Sequence, residues 1–198
     1  MDGLRLTGKA KRELRSKILE RIKAGEDRRS IFDDLGRGQD PALVASLIAN
    51  TPDPGDARAL RLASLFCFCA LWAYAALHAA SILISMIPMI VANHRLALML
   101  PMMLVWPALA VGVAIQVREG RGSSYLYGGM LCVILALNNL RGMLSHLAGD
   151  AVKWIPTVVV VAMLLSAAFV SFKSRMKYFP HLAFTGVKKE NGQYVLGR

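Results

Sequence analysis

Charged residues are sparse between Leu62 and Phe172, although they make up 19% of the 198-residue chain. This block is cut into stretches of membrane-spanning length, and a bilayer core of about 30 Å requires roughly 20 consecutive apolar residues in a helix. The sequence outside the block is too short for a large soluble core. The scarcity of charge therefore predicts an all-α integral membrane protein.

Cysteine is scarce as well, and the three cysteines, Cys67, Cys69 and Cys132, all lie inside the apolar block. A disulfide framework or a zinc site is unusual there, so we expect small core residues. The chain also lacks a glycine-rich phosphate loop after a strand and a nucleophile-elbow motif. These absences predict a protein that is not an enzyme and that binds no cofactor and no metal.

Turn and proline signals divide the apolar block into four predicted transmembrane helices, over residues 62–84, 96–117, 124–140 and 154–172. The first uncharged run continues to Asn93, so we expect residues 85–93 to tilt, to bend at Pro88 or to lie at the interface. Pro101 and Pro107 remove backbone donors, so we expect the second helix to be kinked or to pack where a neighbour satisfies the freed carbonyls. The transmembrane domain is expected over residues 58–173.

The distribution of Lys and Arg predicts the orientation of these helices. Four spans place both termini and the 118–122 turn on one side, which holds 21 basic residues, against three on the other, Arg95, Arg141 and Lys153. Basic segments near transmembrane helices stay in the cytoplasm. We therefore expect a multi-pass protein of the inner (plasma) membrane with both termini cytoplasmic.

Residues 1–57 are expected to form a small N-terminal three-helix cytoplasmic module that ends in a linker. Residues 8–24 carry apolar side chains at four-residue intervals, which predicts a basic amphipathic helix ending at Gly25. Asp27 is placed to cap a second helix, and Asp40 followed by Pro41 starts a third. Three short helices of this kind can share one core.

The basic face of the first helix suits the anionic cytoplasmic leaflet, where each cation near the surface contributes about 1 kcal/mol. The predicted contacts with lipid headgroups are Lys11, Arg12, Arg15 and Arg21. The alternative is a solvated face on a helix that packs through its other side. Nucleic-acid binding is not expected, because residues 41–50 of the third helix contain no Lys or Arg to reach bases or phosphates.

The cytoplasmic tail, residues 174–198, is predicted to contain a short β-hairpin. Asn191 and Gly192 both tolerate the positive φ angles of a type I′ turn. An isolated hairpin is marginally stable in water, so we expect it to dock on the N-terminal module or on the membrane surface. The alternative is an edge strand that pairs with a partner.

A polar group of residues near the outer end of the third helix is the candidate site. Its members are Asn138, Asn139, Arg141, Ser145, His146 and Asp150. Spacings of three and four place Asn138, Arg141 and Ser145 on one face of a continuing helix. Such a face can line a pore or bind an anion, whereas a span that ends near Leu140 leaves Arg141 among headgroups.

These features favour a non-enzymatic multi-pass membrane protein that acts as a cytoplasmic-facing interaction platform or accessory subunit. Its expected partners are membrane lipids and a protein partner or further copies of the chain. One alternative is a small oligomeric transporter or channel subunit with Arg141 near its mouth. A second alternative is a membrane-embedded enzyme with His146 as general base, Asp150 orienting it, and Asn138 and Arg141 holding an anionic group.

Overall fold

The computed structural model describes residues 8–144, 155–184 and 186–196, and these are mostly helical. The chain divides into two compact units. We call the first the module; it comprises the described parts of Met1–Leu60, Arg121–Ser123 and Ser174–Arg198. We call the second the apolar unit; it comprises the described parts of Arg61–Gly120 and Ser124–Lys173.

Three short helices open the module, as the sequence predicts. The side chain of Asp27 accepts hydrogen bonds from the backbone N–H groups of Arg29 and Ser30, at 3.0 and 3.2 Å, and caps the second helix. Asp40 caps the third by accepting from Ala42 N–H at 3.0 Å. The helices are α1 (Gly8–Lys23), α2 (Arg28–Leu35), which is followed by a 3-10 turn (Gly36–Gly38), and α3 (Pro41–Ala49).

These helices share one core with the C-terminal tail. The buried apolar side chains are Leu14, Ile18, Ile22, Ile31, Val44, Ala45, Ile48 and Leu196. Val187 and Tyr194 of the tail pack against this cluster, and the rings of Phe32 and Tyr194 lie 5.7 Å apart. The tail therefore docks on the N-terminal helices, which was one of the two expected locations.

The tail contains two short antiparallel strand pairs rather than one. Strands β1 (Leu182–Ala183) and β2 (Gly186–Val187) pair with each other, as do β3 (Lys189–Glu190) and β4 (Gln193–Tyr194). The predicted hairpin is the second pair: φ is +50° at Asn191 and +79° at Gly192, as a type I′ turn requires. The first pair carries no such turn signal, which is why sequence reasoning missed it.

Four stretches of the described chain are long and apolar enough to cross a membrane: Pro54–Ala92, Ala97–Arg118, Gly122–Arg141 and Ile155–Tyr178. They contain a 3-10 turn (Pro54–Asp56), α4 (Ala57–Ala92), part of a second 3-10 segment (His94–Met99), α5 (Leu100–Met103), α6 (Val105–Arg118), most of α7 (Gly122–Leu144) and α8 (Ile155–Tyr178). The four predicted spans are thus present as helical stretches, although their bounds differ from those predicted.

The largest differences concern the first two stretches. Helix α4 passes through Pro88 and reaches Ala92, so the helix extends beyond residues 62–84 at both ends, while those bounds of a membrane span stay a prediction. The second stretch is interrupted rather than kinked. Pro101 and Pro107 each lie in the first turn of a helix, α5 and α6 respectively, where a missing N–H has no intrahelical partner to lose.

The third and fourth helices are longer than predicted. Helix α7 begins at Gly122 and continues to Leu144, and α8 continues past Lys173 to Tyr178. Basic residues mark the end of an apolar stretch, but Lys and Arg are good helix formers, so they do not end the helix itself. Both helices therefore continue beyond residues 124–140 and 154–172, and these bounds of membrane spans stay predictions.

Small residues bring the helices of the apolar unit together. A Cβ atom on Gly128 would lie 2.7 Å from Cγ2 of Val117 on α6, and one on Gly129 would lie 3.0 Å from the ring of Phe172 on α8. The thiol of Cys67 on α4 lies 3.1 Å from the hydroxyl of Ser171 on α8. Close approach through small side chains is the usual packing mode of membrane helices.

The cysteine prediction holds for two of the three residues. Cys67 and Cys132 are buried, as expected of small core residues, whereas Cys69 is exposed. Two helical positions correspond to about 200° of rotation, so Cys69 lies on the opposite side of α4 from Cys67. Large apolar side chains share that outward direction elsewhere in the unit: Ile84, Leu98 and Phe169 are 76%, 84% and 66% exposed.

Candidate functional site

The predicted polar site is only partly covered by the described residues. Asn138, Asn139 and Arg141 lie on α7, whereas Ser145, His146 and Asp150 lie outside the described residues. Asn138 and Arg141 are exposed, and Asn139 is half-buried and donates to the carbonyl oxygen of Leu135 at 2.7 Å. The two asparagines therefore have different surroundings.

Asn139 lines a cavity of about 260 Å³ inside the apolar unit, and its neighbours there come from α4 and α8. The rings of Tyr74 and His78 stack with centroids 5.3 Å apart and planes 15° from parallel. The cavity presents phenol, imidazole, hydroxyl and amide groups, which suit water or a small polar molecule. The lining residues are Tyr74, Leu77, His78, Ser81, Asn139, Pro156, Thr157 and Val160.

Sequence reasoning missed this cavity, although a local signal was present. Tyr74, His78 and Ser81 are spaced by four and three residues, so a continuous α4 places them on one face. The contribution of Asn139 has no such local signal, because it depends on the packing of α7 within the unit.

A second cavity, of about 310 Å³, lies within the module and contains three of the four predicted headgroup ligands. Lys11, Arg12 and Arg15 come from α1, and Arg121 adds a fourth cation. The remaining lining residues are Ser46, Leu47, Asn50 and Ser123. We call this space the basic cavity; none of the described residues that line it carries a negative charge.

Arg21, the fourth predicted headgroup ligand, has a different environment. Its guanidinium donates to both carboxylate oxygens of Glu26, one of them at 2.6 Å, and to Asp34 at 2.6 Å. The hydrogen bonds with Arg21 lower the pKa of the Glu26 carboxyl. The bonds with Glu26 and then Asp34 raise the pKa of the Arg21 guanidinium. Arg21 does not line the basic cavity.

Asn50 fixes the 121–123 segment beside α3. Its Oδ1 accepts a hydrogen bond from the backbone N–H of Ser123 at 2.8 Å, and its Nδ2 donates to the carbonyl oxygen of Ser46 at 2.8 Å. Both bonds lie in the wall of the basic cavity. Asn50 therefore positions Ser123, and with it Arg121 two residues earlier, relative to the cations of α1.

Arg28 is the buried centre of the module. Only 4% of it is exposed, and its guanidinium donates to the carbonyl oxygens of Ile48 and Thr51 at 2.8 and 2.9 Å. It also donates to the carbonyl oxygen of Leu196 at 3.4 Å and forms an ion pair with Asp53 at 2.7 Å. One side chain thus joins α2, the end of α3 and the tail.

His181 makes a second connection between the tail and α3. Its Nε2 donates to the carbonyl oxygen of Ala49 at 2.7 Å, and the side chain is buried. Burial, together with the nearby cations of Arg28 and Lys188, lowers the pKa of the imidazole below its ordinary value, against the opposing effects of the Ala49 hydrogen bond and of Asp53. The imidazole is therefore neutral in the folded module at neutral pH.

This pKa predicts how module stability depends on pH. In the unfolded chain the His181 imidazole takes up a proton at about pH 6.5, whereas in the folded module it does so only at lower pH. The contribution of neutral His181 to the stability of the module is therefore complete above about pH 6.5 and is lost as the pH falls through the folded pKa. We expect amide hydrogen exchange in α3 to show a lower opening free energy at about pH 5 than at about pH 7.

His181→Gln provides the control, because glutamine keeps an N–H donor and does not titrate. Its α3 amides should show no such loss between these pH values. The Glu26 carboxyl, whose pKa is lowered, titrates only below its ordinary value of 4.5 and does not confuse the measurement. An equal loss in both chains would contradict the assignment to His181.

The described residues contain no group of three or more His, Cys, Asp and Glu side chains that could hold a metal ion. They define a class of protein: a mostly helical chain with four stretches long and apolar enough to span a membrane, and a separate compact module. No protein-family model matches this chain, and no similar protein was found among curated proteins or solved structures.

Proposed function

We propose that this chain is a non-enzymatic multi-pass protein of the inner (plasma) membrane, and that its module is a cytoplasmic platform for contacts with proteins and lipids. The observation that carries the proposal is the composition of the module. The described residues of Met1–Leu60, Arg121–Ser123 and Ser174–Arg198 form one compact unit. A platform needs such a fixed surface, whereas separate flexible tails would not provide one.

The apolar unit supports the membrane part of the proposal. Its helical stretches have the length and hydropathy of membrane spans, and many of its large apolar side chains are exposed. Exposed apolar surface of this extent is unfavourable in water and is expected where lipid is the solvent. The module, in contrast, buries its apolar side chains in a core of its own.

The module also supports the proposed orientation. Its three segments can fold together only if they emerge on the same side of the membrane, which requires an even number of spans between them. That side carries 21 of the 24 Lys and Arg residues. The shared core therefore supports a common side for both termini and the 121–123 segment, and the charge bias favours the cytoplasm as that side.

A photo-crosslinking experiment in intact cells tests the platform. Phe184 is 63% exposed between β1 and β2, so a photoreactive phenylalanine there changes little of the fold. We expect this probe to capture one cytoplasmic protein reproducibly, and we expect Arg28→Met in the same chain to abolish the capture by disrupting the module. Mass spectrometry of the adduct identifies the partner.

A matched probe at Arg95 serves as the control, because this exposed residue lies on the opposite side in the proposed topology. Capture of the same protein from both positions would contradict the proposed orientation. Capture of lipid alone from Phe184 would contradict a protein partner.

The two alternative functions stay predictions from the sequence. A polar cavity lined by Asn139 and His78 supports the transporter or channel alternative. Arg141, the residue expected near the mouth of such a path, is exposed and does not line this cavity. The enzyme alternative depends on His146 and Asp150, which lie outside the described residues.

A further inference from the structure

We infer that the basic cavity of the module is a binding site for a phosphate group. The inference rests on the proposed function, since it names the chemistry that one face of the platform recognises. Four cations, Lys11, Arg12, Arg15 and Arg121, line the cavity. The positive charge is contributed by two separate parts of the chain that the fold brings together.

The cations of α1 are arranged so that they reach the same space. Lys11 and Arg15 are four residues apart and share a face of α1, and both line the cavity. Arg121 adds a further charge to the same cavity from another part of the chain. An anion in the cavity therefore interacts favourably with all four cations.

The chemistry of the lining favours phosphate over a single carboxylate. Arginine has a planar fork of donors that matches phosphate oxygens, and three of the four cations are arginines. The hydroxyl groups of Ser46 and Ser123 line the same space and add neutral donors. A phosphate group has enough charge and enough acceptor oxygens to use this mixture of donors.

The cavity is also of suitable size and is held open by structure. Its volume of about 310 Å³ lies at the lower end of the range for small-ligand sites, about 300–1,000 Å³. The two hydrogen bonds of Asn50 hold the 121–123 segment against α3. The cations therefore converge without a large rearrangement of the backbone. The phosphate can belong to a soluble phosphorylated compound or to the headgroup of an anionic lipid.

Titration calorimetry of the full chain in a maltoside detergent, with inorganic pyrophosphate as the probe, tests the inference. We expect Arg15→Gln and Arg121→Gln each to weaken binding about tenfold, which is the effect of losing one charge-assisted contact. Lys17→Gln is the matched control, since Lys17 is an exposed cation of α1 that does not line the cavity. It should change the affinity less than about twofold.

Hydrogen exchange in α3 checks that each variant is folded. Lys11→Gln gives a second test of binding, at an exposed position that is not part of the core. Lys11→Gln should also weaken pyrophosphate binding. No binding by the original chain, or equal affinities in the Lys11, Arg15, Arg121 and Lys17 variants, would overturn the inference. Neither result would affect protein capture from Phe184, so failure here is distinguishable from failure of the platform.

A comparison in nanodiscs distinguishes the two sources of phosphate. The chain is placed in phosphatidylcholine discs that contain either phosphatidic acid or an equal surface charge of oleate, which has no phosphate. Weaker pyrophosphate binding with phosphatidic acid than with oleate assigns the cavity to a lipid headgroup. Equal binding assigns it to a soluble phosphorylated compound.

Discussion

Arg28→Met is expected to destabilise the module by about 3 kcal/mol, measured as the opening free energy of α3 amides by hydrogen exchange in the full chain. Methionine keeps much of the side-chain volume but removes every donor. The carbonyl oxygen of Thr51 then loses its donor in a buried position, while that of Ile48 loses a charged donor but keeps the backbone N–H of Thr51 at 3.0 Å. Each unsatisfied buried carbonyl costs about 1–3 kcal/mol.

The carboxylate of Asp53 contributes less to this loss. Its side chain is 46% exposed, so water can solvate it once the ion pair with Arg28 is gone. The predicted effect therefore comes mainly from the buried carbonyls and lies at the lower end of the about 3–5 kcal/mol typical of broken buried pairs.

The neighbouring Arg29→Met is the matched control. Arg29 is exposed, lies over the ring of Phe32 and forms a single ion pair with Asp33 at 3.5 Å. We expect a change within about 0.5 kcal/mol, as for most exposed helix pairs. Similar effects at both positions would mean that Arg28 stabilises the module through helix α2 alone.

Gly122→Ala is expected to destabilise the same module by about 2 kcal/mol through overpacking. A Cβ atom at this position would lie 2.5 Å from Cδ1 of Leu182 and 2.7 Å from Cγ of Phe179. The end of Leu182 can rotate away, but the Phe179 ring is 1% exposed and has little room to move. The strain should appear as faster amide exchange in β1 and β2.

Gly38→Ala is the control for the loss of glycine flexibility. No atom lies within 4 Å of a Cβ at that position, and its φ is not positive. Alanine there reduces the entropy of the unfolded chain, so the change should be neutral or slightly stabilising. If both substitutions destabilise the module equally, the contact with Phe179 is not the cause.

Local signals in the sequence predicted the elements that depend on neighbouring residues. Asp27 and Asp40 cap the helices that they were expected to cap, and Asn191 with Gly192 forms the expected turn. Charge and hydropathy predicted the number of long apolar stretches. They did not predict the helix ends, because a charge such as Lys173 marks the end of an apolar segment and leaves the helix free to continue.

The candidate sites depended on tertiary contacts and were harder to predict. Arg28 looks like an ordinary surface residue at the start of a helix, and nothing nearby in sequence indicates that Leu196 would meet it. Arg121 reads as part of a charged turn, yet it lines a cavity with residues of α1. Neighbouring Asn138 and Asn139 read as one polar group, but a helix turns them by about 100° relative to each other.

The contact between Arg28 and Leu196 has a consequence for biosynthesis. Residues 28 and 196 are separated by all four apolar stretches, so a nascent chain carries an unfinished module throughout the synthesis of its hydrophobic segments. The guanidinium of Arg28 can donate to the carbonyl oxygen of Leu196 only after the tail has been translated and lies beside α2. If the four stretches span a membrane as proposed, a chain in which one of them fails to insert would have its tail on the other side from α2, and Leu196 could not reach Arg28. The bond between Arg28 and Leu196 would then form only in chains with the proposed topology.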